Sequence, residues 1–208
     1  MTLAQADIRH LPLPAESIDM IFTDPPYGKA TLLCYEWLAQ EAARVLRPGG
    51  FVLAMCGGYE LNKIIRMMDE HLIFYWELHV FMSDVGSVIW PRRVIARNKA
   101  ILAYSNGEGL ARCNVLSGIL GGGNDKRYHH WGQDVESARY YIDCFSKGGD
   151  LVLDPFLGSG TTAIACELIG RRWLGFDIDP SAIAVSAARL RDAEIPYQGT
   201  MFSQEINA

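Results

Sequence analysis

Cysteine is scarce in this 208-residue chain. Cys34, Cys56, Cys113, Cys144 and Cys166 are odd in number, widely spaced and without a Cys-x-x-Cys pair, which argues against a disulfide framework and against a metal site of zinc spacing. Reduced core thiols are the expectation. Positive charge is not in excess: 19 Lys and Arg stand against 24 Asp and Glu, a net charge of −5. The chain as a whole lacks the basic balance of a nucleic-acid binder, so any surface for such a partner must be local. No apolar run reaches the roughly 18 residues needed to cross a bilayer, and the stretch from Met1 to His10 has neither a basic n-region nor an apolar h-region. No membrane partner and a cytoplasmic location are expected. Internal repeats and low-complexity tracts are missing too. What is abundant is apolar: 50% of the residues are hydrophobic, enough for a sizeable core in a chain whose length fits a single domain spanning residues 1–208.

Strands and helices alternate along the chain. Ile18 to Thr23 reads as a buried strand interrupted only by Asp19. Tyr35, Leu38, Ala42, Val45 and Leu46 recur at helical spacing, and Arg47-Pro48-Gly49-Gly50 ends that helix. Phe51 to Cys56 is the next strand, Tyr59 to about Glu70 the next helix, and Leu72 to Phe81 an aromatic, β-branched strand. The pattern breaks from Ser83 to Pro91 and resumes at Asn98 to Tyr104. A polar, glycine-rich stretch then runs to about Gln133, and a loop that long in a compact domain usually serves function. Val135, Ala138, Ile142 and Phe145 mark a helix, Leu151 to Leu153 a strand, Thr161 to Ile169 a helix and Trp173 to Phe176 a strand. Asp179 and Pro180 then form the N-cap and first position of a last helix. Residues after about Asp192 read as a tail. This alternation predicts an α/β fold, a doubly wound, mostly parallel sheet with helices on both faces. Ligands in such sheets bind beyond the carboxyl ends of the strands, where the winding reverses.

Two segments carry chemistry. Asp154-Pro155-Phe156-Leu157-Gly158-Ser159-Gly160-Thr161-Thr162 follows a strand and opens a helix, the context of a glycine-rich nucleotide turn. Gly158 and Gly160 permit a sharp bend and close approach of a ligand. Asp177, about 20 residues on, stands where an acidic side chain accepts from ribose hydroxyls. Gly-x-Gly alone is weak and also simply joins strand to helix. Ala163 stands where a nicotinamide fingerprint places its third glycine, and no lysine follows Gly160 as a phosphate-binding Walker loop requires. A cofactor without phosphates fits better.

Asp24-Pro25-Pro26-Tyr27 closes the first strand. Asp and Pro also make ordinary turns. Read as a site, the two prolines fix the backbone so that a carbonyl and the Asp24 carboxylate converge as acceptors on one point, beside the π-face of Tyr27. Such a pair suits an exocyclic amine on a flat ring. It takes both N–H donors and frees the nitrogen lone pair for an electrophile.

Together, and in this order, the two segments resemble the DNA amino-methyltransferases, specifically the circularly permuted beta group. The likeness covers nearly the whole chain, including Arg171-Arg172-Trp173-Leu174-Gly175-Phe176-Asp177-Ile178-Asp179. The resemblance implies S-adenosylmethionine as cofactor, held by Asp154, Phe156, Gly158, Ser159, Gly160, Thr161 and Asp177. Asp177 would take the ribose and Asp154 the methionine end, while Asp7 in Ala6-Asp7-Ile8 would lie near the adenine, although Ala6 departs from the family's glycine. It also implies Asp24, Pro25, Pro26 and Tyr27 as catalytic residues acting directly on nitrogen, with no metal. The permuted order predicts that the strand ending at Asp154 lies beside the strand ending at Thr23.

The partner implied is duplex DNA with its target base flipped out. In this family Asp at the first motif position goes with adenine N6, and Ser with cytosine N4; cytosine and an RNA adenine stay open as alternatives. A catalytically silent nucleic-acid-binding subunit is the alternative of another class. Arg93, Arg97 and Lys99 would share a face if extended, and Lys126 and Arg127, beside Tyr128, His129 and His130, add local charge; solvated faces are the competing reading. Their sum could supply phosphate contacts. Target recognition falls to residues 83–133, a reduced segment that predicts a short target, weak preference, or recognition shared across a homodimer.

Overall fold

Which side of the sheet each helix covers is decided by alternation along the strands. In this computed structural model, which describes residues 2–82, 86–90, 92–121 and 134–193, the elements run β1 (Thr2–Gln5), β2 (Ile18–Thr23), α1 (Leu33–Val45), β3 (Leu46–Cys56), α2 (Leu61–Asp69), β4 (Ile73–Phe81), β5 (Ser87–Ile89), β6 (Val94–Ala96), β7 (Asn98–Ser105), β8 (Gly118–Leu120), α3 (Val135–Phe145), β9 (Leu151–Asp154), α4 (Thr161–Leu168), β10 (Arg172–Asp177) and α5 (Pro180–Asp192). The main sheet has eight strands in the order β1-β10-β9-β2-β3-β7-β4-β8. β1 through β3 in that order are mutually parallel, β7 is antiparallel to both neighbours, and β8 runs parallel to β4. Ile21, Val52, Ala54, Leu102 and Tyr104 face one way and bury Tyr35, Leu38 and Ala42 of α1 with Ile64 and Met68 of α2. Met20, Phe22, Leu53, Ile101 and Ala103 face the other way, onto Ala138, Tyr141 and Ile142 of α3 and Ala163 and Cys166 of α4. The expected doubly wound, mostly parallel sheet with helices on both faces is thus the observed one.

The reversal of winding lies between β9 and β2. From β2 the chain winds through α1 to β3 on one side; from β9 it winds through α4 to β10 on the other. Met20 pairs with Val152 and Ile21 with Leu153, so Asp154 and Thr23 end side by side at the carboxyl edge, as the motif order predicted. Asp19, the one carboxylate in β2, accepts from the Leu151 amide at 2.8 Å and pairs with Arg47. A charge in a buried strand is tolerated because both its oxygens are engaged.

Several expectations are corrected in detail. β1 was not anticipated; it is short, and only its pairing with β10 makes it a strand. The broken stretch after Phe81 contains the hairpin of β5 and β6, and the long polar loop contains β8. Arg47-Pro48-Gly49-Gly50 does end α1 but belongs to β3, which starts at Leu46. The Asn106 side-chain amide donates to the Leu46 carbonyl at 2.8 Å there. Of the cysteines, Cys56, Cys144 and Cys166 are buried as expected, whereas Cys34 is half-buried and Cys113 exposed. Asp179 caps α5 by accepting from the Ser181 amide, with Pro180 in the first turn. Lys126 and Arg127, the aromatic run beside them and the tail from residue 194 lie outside the described residues. Among the described residues no helix is long and apolar enough to cross a membrane, and no cluster of side chains could hold a metal ion.

Candidate active site

The glycine turn between β9 and α4 is held from two sides, by β10 and by α5. Gly158 and Gly160 adopt φ of 52° and 78°, the left-handed region that a side chain disfavours. From β10, the Asp177 carboxylate accepts from the Gly158 amide at 2.9 Å and from the Asp179 amide at 2.9 Å. From α5, the buried Ser186 hydroxyl donates to the Gly158 carbonyl at 2.8 Å. A Cβ at Gly160 would come within 3.2 Å of the Ser186 Cβ, so α5 packs directly on the turn. Arg189, 4% exposed, donates to the Ser159 carbonyl at 3.1 Å and to the Thr161 hydroxyl at 3.0 Å. Above Gly158 there is room, since an added Cβ would meet only the Phe156 carbonyl, at 3.9 Å. Ser186 and Arg189 escaped the sequence reading. Their small and long polar side chains on the buried face of α5 were the available signal.

Asp154 ties this turn to the second motif. It is 4% exposed; Thr23 and Thr162 donate to its two oxygens at 2.6 Å each, and the Phe156 amide adds a third bond at 3.1 Å. Burial pushes its carboxyl up to about 6, against the pull of these donors, and the nearby Asp24 charge acts in the same direction as burial. Thr23 directly precedes Asp24, so one carboxylate fixes the ends of β2 and β9 and the first turn of α4.

Asp24 and Tyr27 meet one residue beyond. The Tyr27 hydroxyl donates to an Asp24 oxygen, and the residue, 46% exposed, lies beside Gly57, just past β3. Lys99, at the start of β7, stands with its Nζ 3.6 Å from the other Asp24 oxygen and 6.0 Å from the Tyr27 ring centroid. The structure therefore brings Lys99 to the reacting motif, whereas Arg93 and Arg97 are exposed. Arg93 sits in a turn at φ 53°, so the three cations do not form one extended face.

Asp7 reaches the same edge of the sheet through β1. Gln5 pairs with Asp177, and the Ala6 amide donates to the Asp177 carbonyl at 3.0 Å. The Asp7 carboxylate is held low, at about 2, by hydrogen bonds from the Arg9 side chain and amide. Arg9 in turn lies 5.2 Å over the Trp37 ring. Asp7, Asp24, Asp154, Asp177 and the glycine turn thus occupy one edge of the sheet, with Asp24 and Asp154 at the reversal point.

Comparison with known proteins agrees with this layout. Residues 114–188 match the N6_N4_Mtase family model, a DNA methylase family. The type II methyltransferase M.HpaI of Haemophilus parainfluenzae is 26% identical over 219 residues, covering 86% of this chain and 69% of that protein. Among solved structures, the PvuII DNA methyltransferase, described as cytosine-N4-specific, superposes with a TM-score of 0.79 at 20% identity, covering 94% of this chain and 88% of its own. The M1.HpyAVI–SAM complex gives 0.71 at 22% identity, covering 84% and 89%. With the Asp24 and Asp154 motifs joined at the reversal point of its sheet, the chain is similar to the DNA amino-methyltransferases over residues 114–188 and shares the fold of these solved structures.

Proposed function

We propose that the protein transfers a methyl group from S-adenosylmethionine to the exocyclic amino group of a base flipped out of duplex DNA, with adenine N6 as the target. The observation that carries this reading is the juxtaposition of Asp24 and Tyr27 with the Asp154 turn across the paired ends of β2 and β9. The open space over Gly158 and the acceptor Asp177 beside it suit a nucleoside lacking phosphates. When bound, S-adenosylmethionine supplies an electrophilic methyl carbon on a sulfonium sulfur. Asp177 would take the ribose and Asp7 would lie toward the adenine, Phe156, Ser159, Gly160 and Thr161 would line the turn around it, and Asp154 would serve the methionine end, acting through Thr23 and Thr162.

Asp24 and the backbone carbonyl fixed by Pro25 and Pro26 accept the two amine hydrogens, while Tyr27 stacks on the base. The nitrogen lone pair would thereby be turned toward the methyl carbon; the carbon–sulfur bond would break as the nitrogen–carbon bond forms, its electron pair staying on sulfur, and the nitrogen would give up one proton to Asp24 or to water. No cysteine lies in this motif, so attack by nitrogen needs no covalent step on the enzyme. Asp at position 24, where cytosine enzymes of the resembling group carry Ser, favours adenine. The cytosine-N4 specificity of the PvuII enzyme supports the second reading, cytosine N4. Arg93 and Arg97 are exposed and suit phosphates. The permuted motif order agrees with the beta group, and a homodimer would enlarge the small recognition segment.

Asp24→Ala tests the assignment. Methyl transfer to DNA should fall to background while calorimetry finds cofactor affinity within about twofold of the parent; a large loss of cofactor binding would contradict the role given to Asp24.

A further inference from the structure

The β5–β6 hairpin leaves the sheet at the edge that carries the site. β4 is antiparallel to β7, which is antiparallel to β3. β4 therefore ends at Phe81 on the same side as β2, β3 and β9. Phe81 pairs with Asn98, and the next residue, Lys99, is the one beside Asp24. Between these roots the chain makes a two-stranded ribbon in which Val88 pairs with Ile95 and Ile89 with Val94.

This ribbon is apolar yet uncovered. Trp90 at its turn is 71% exposed, and Val88, Val94 and Ile95 are also exposed. Arg92, Arg93 and Arg97 are exposed around them. The turn is oriented by a contact: the Arg92 guanidinium lies 5.0 Å over the ring of Tyr59. Tyr59 follows Gly57, which lies against Tyr27. A line of neighbours thus runs from the reacting motif through the β3 loop to the tip that carries Trp90.

An exposed apolar tip costs free energy in water unless a partner covers it, and three arginines around it fit a polyanion. A two-stranded ribbon fits a duplex groove, and apolar side chains inserted between base steps are a known way to open a stack. We infer that the β5–β6 hairpin enters the DNA duplex beside the target, with Trp90 filling the stacking position that the flipped base leaves and Arg93 and Arg97 holding the flanking phosphates. This rests on the methyl-transfer reading above and adds to it the residue that stabilises the extruded state.

The test compares the parent with Trp90→Ala and Trp90→Phe, using labelled S-adenosylmethionine and unmethylated genomic DNA, either duplex or heat-denatured. Base–aromatic stacking strength predicts a loss of about tenfold or more for Trp90→Ala on duplex. On denatured strands, where no stack has to be filled, the loss should stay within about twofold. Trp90→Phe should retain most duplex activity. Duplex DNA should quench tryptophan fluorescence of the parent more than of Trp90→Ala. Equal losses on both substrates, or no loss on duplex, would overturn the inference. So would a dimer in sedimentation that Trp90→Ala dissociates, because the hairpin would then be a self-association face. Absence of label from the parent on either DNA, with quenching still dependent on Trp90, would overturn the proposed reaction and leave the hairpin's role standing.

Discussion

Replacing Asp154 with Asn should make the protein more stable at neutral pH and less able to bind its cofactor. The carboxyl, normally at 3.8, is raised by burial to about 6 in the folded chain. A rise of that size costs about 3 kcal/mol once the group is ionised, at about 1.36 kcal/mol per unit. The sign follows from proton binding: between about pH 4 and pH 6 the folded chain holds this proton and the unfolded chain has released it, so stability from this group is present below about pH 4 and lost by about pH 6. Asn avoids the ionisation and fits the same bonds. Its carbonyl can accept from the Phe156 amide and Thr23, while its amide donates to Thr162, whose hydroxyl can turn toward the Phe22 carbonyl 3.4 Å away. Urea unfolding of the cofactor-free protein should give the variant an advantage of about 3 kcal/mol at about pH 7.5 that shrinks below about 1 kcal/mol near pH 4. The same advantage corresponds to a rise in Tm of roughly 6 to 12 °C at neutral pH. A variant no more stable than the parent, or an advantage unchanged across the pH range, would refute the reasoning. A gain in stability with a loss of function is the pattern expected where a site holds a costly charge.

Asp177→Ala should weaken S-adenosylmethionine binding by about tenfold to a hundredfold, the worth of a charged hydrogen bond, as read by calorimetry; unchanged affinity would remove Asp177 from the ribose. Arg189→Met keeps much of the side-chain volume but removes the bonds to Ser159 and Thr161. It should cost about 2 kcal/mol of stability in urea unfolding and loosen cofactor binding, whereas a neutral result would mean that α5 does not hold the turn.

Much of this arrangement was legible in the sequence because its signals are local. The apolar run of β2, the glycine turn before α4 and the Asp179-Pro180 start of α5 each follow from nearest-neighbour chemistry. The adjacency of β2 and β9 was legible only through the order of the two motifs. What escaped depends on tertiary pairing. β1 is four residues long and is a strand only because β10 offers it an edge. β8 likewise exists on the edge of β4. Lys99 reads as one of three surface cations, but the turn at Arg93 breaks the extended segment and the start of β7 brings Lys99 beside Asp24. Ser186 and Arg189 gave no motif, since their role is set by how α5 packs on the glycine turn.

The most direct measurement is incubation of the protein with methyl-labelled S-adenosylmethionine and unmethylated genomic DNA, followed by digestion to nucleosides and chromatography. Label in N6-methyladenine is the predicted result, and label in N4-methylcytosine would keep the chemistry of the Asp24 pocket but change its base. Label on a ring carbon, or none in DNA from a protein that binds the cofactor, would contradict transfer to an exocyclic amine of DNA.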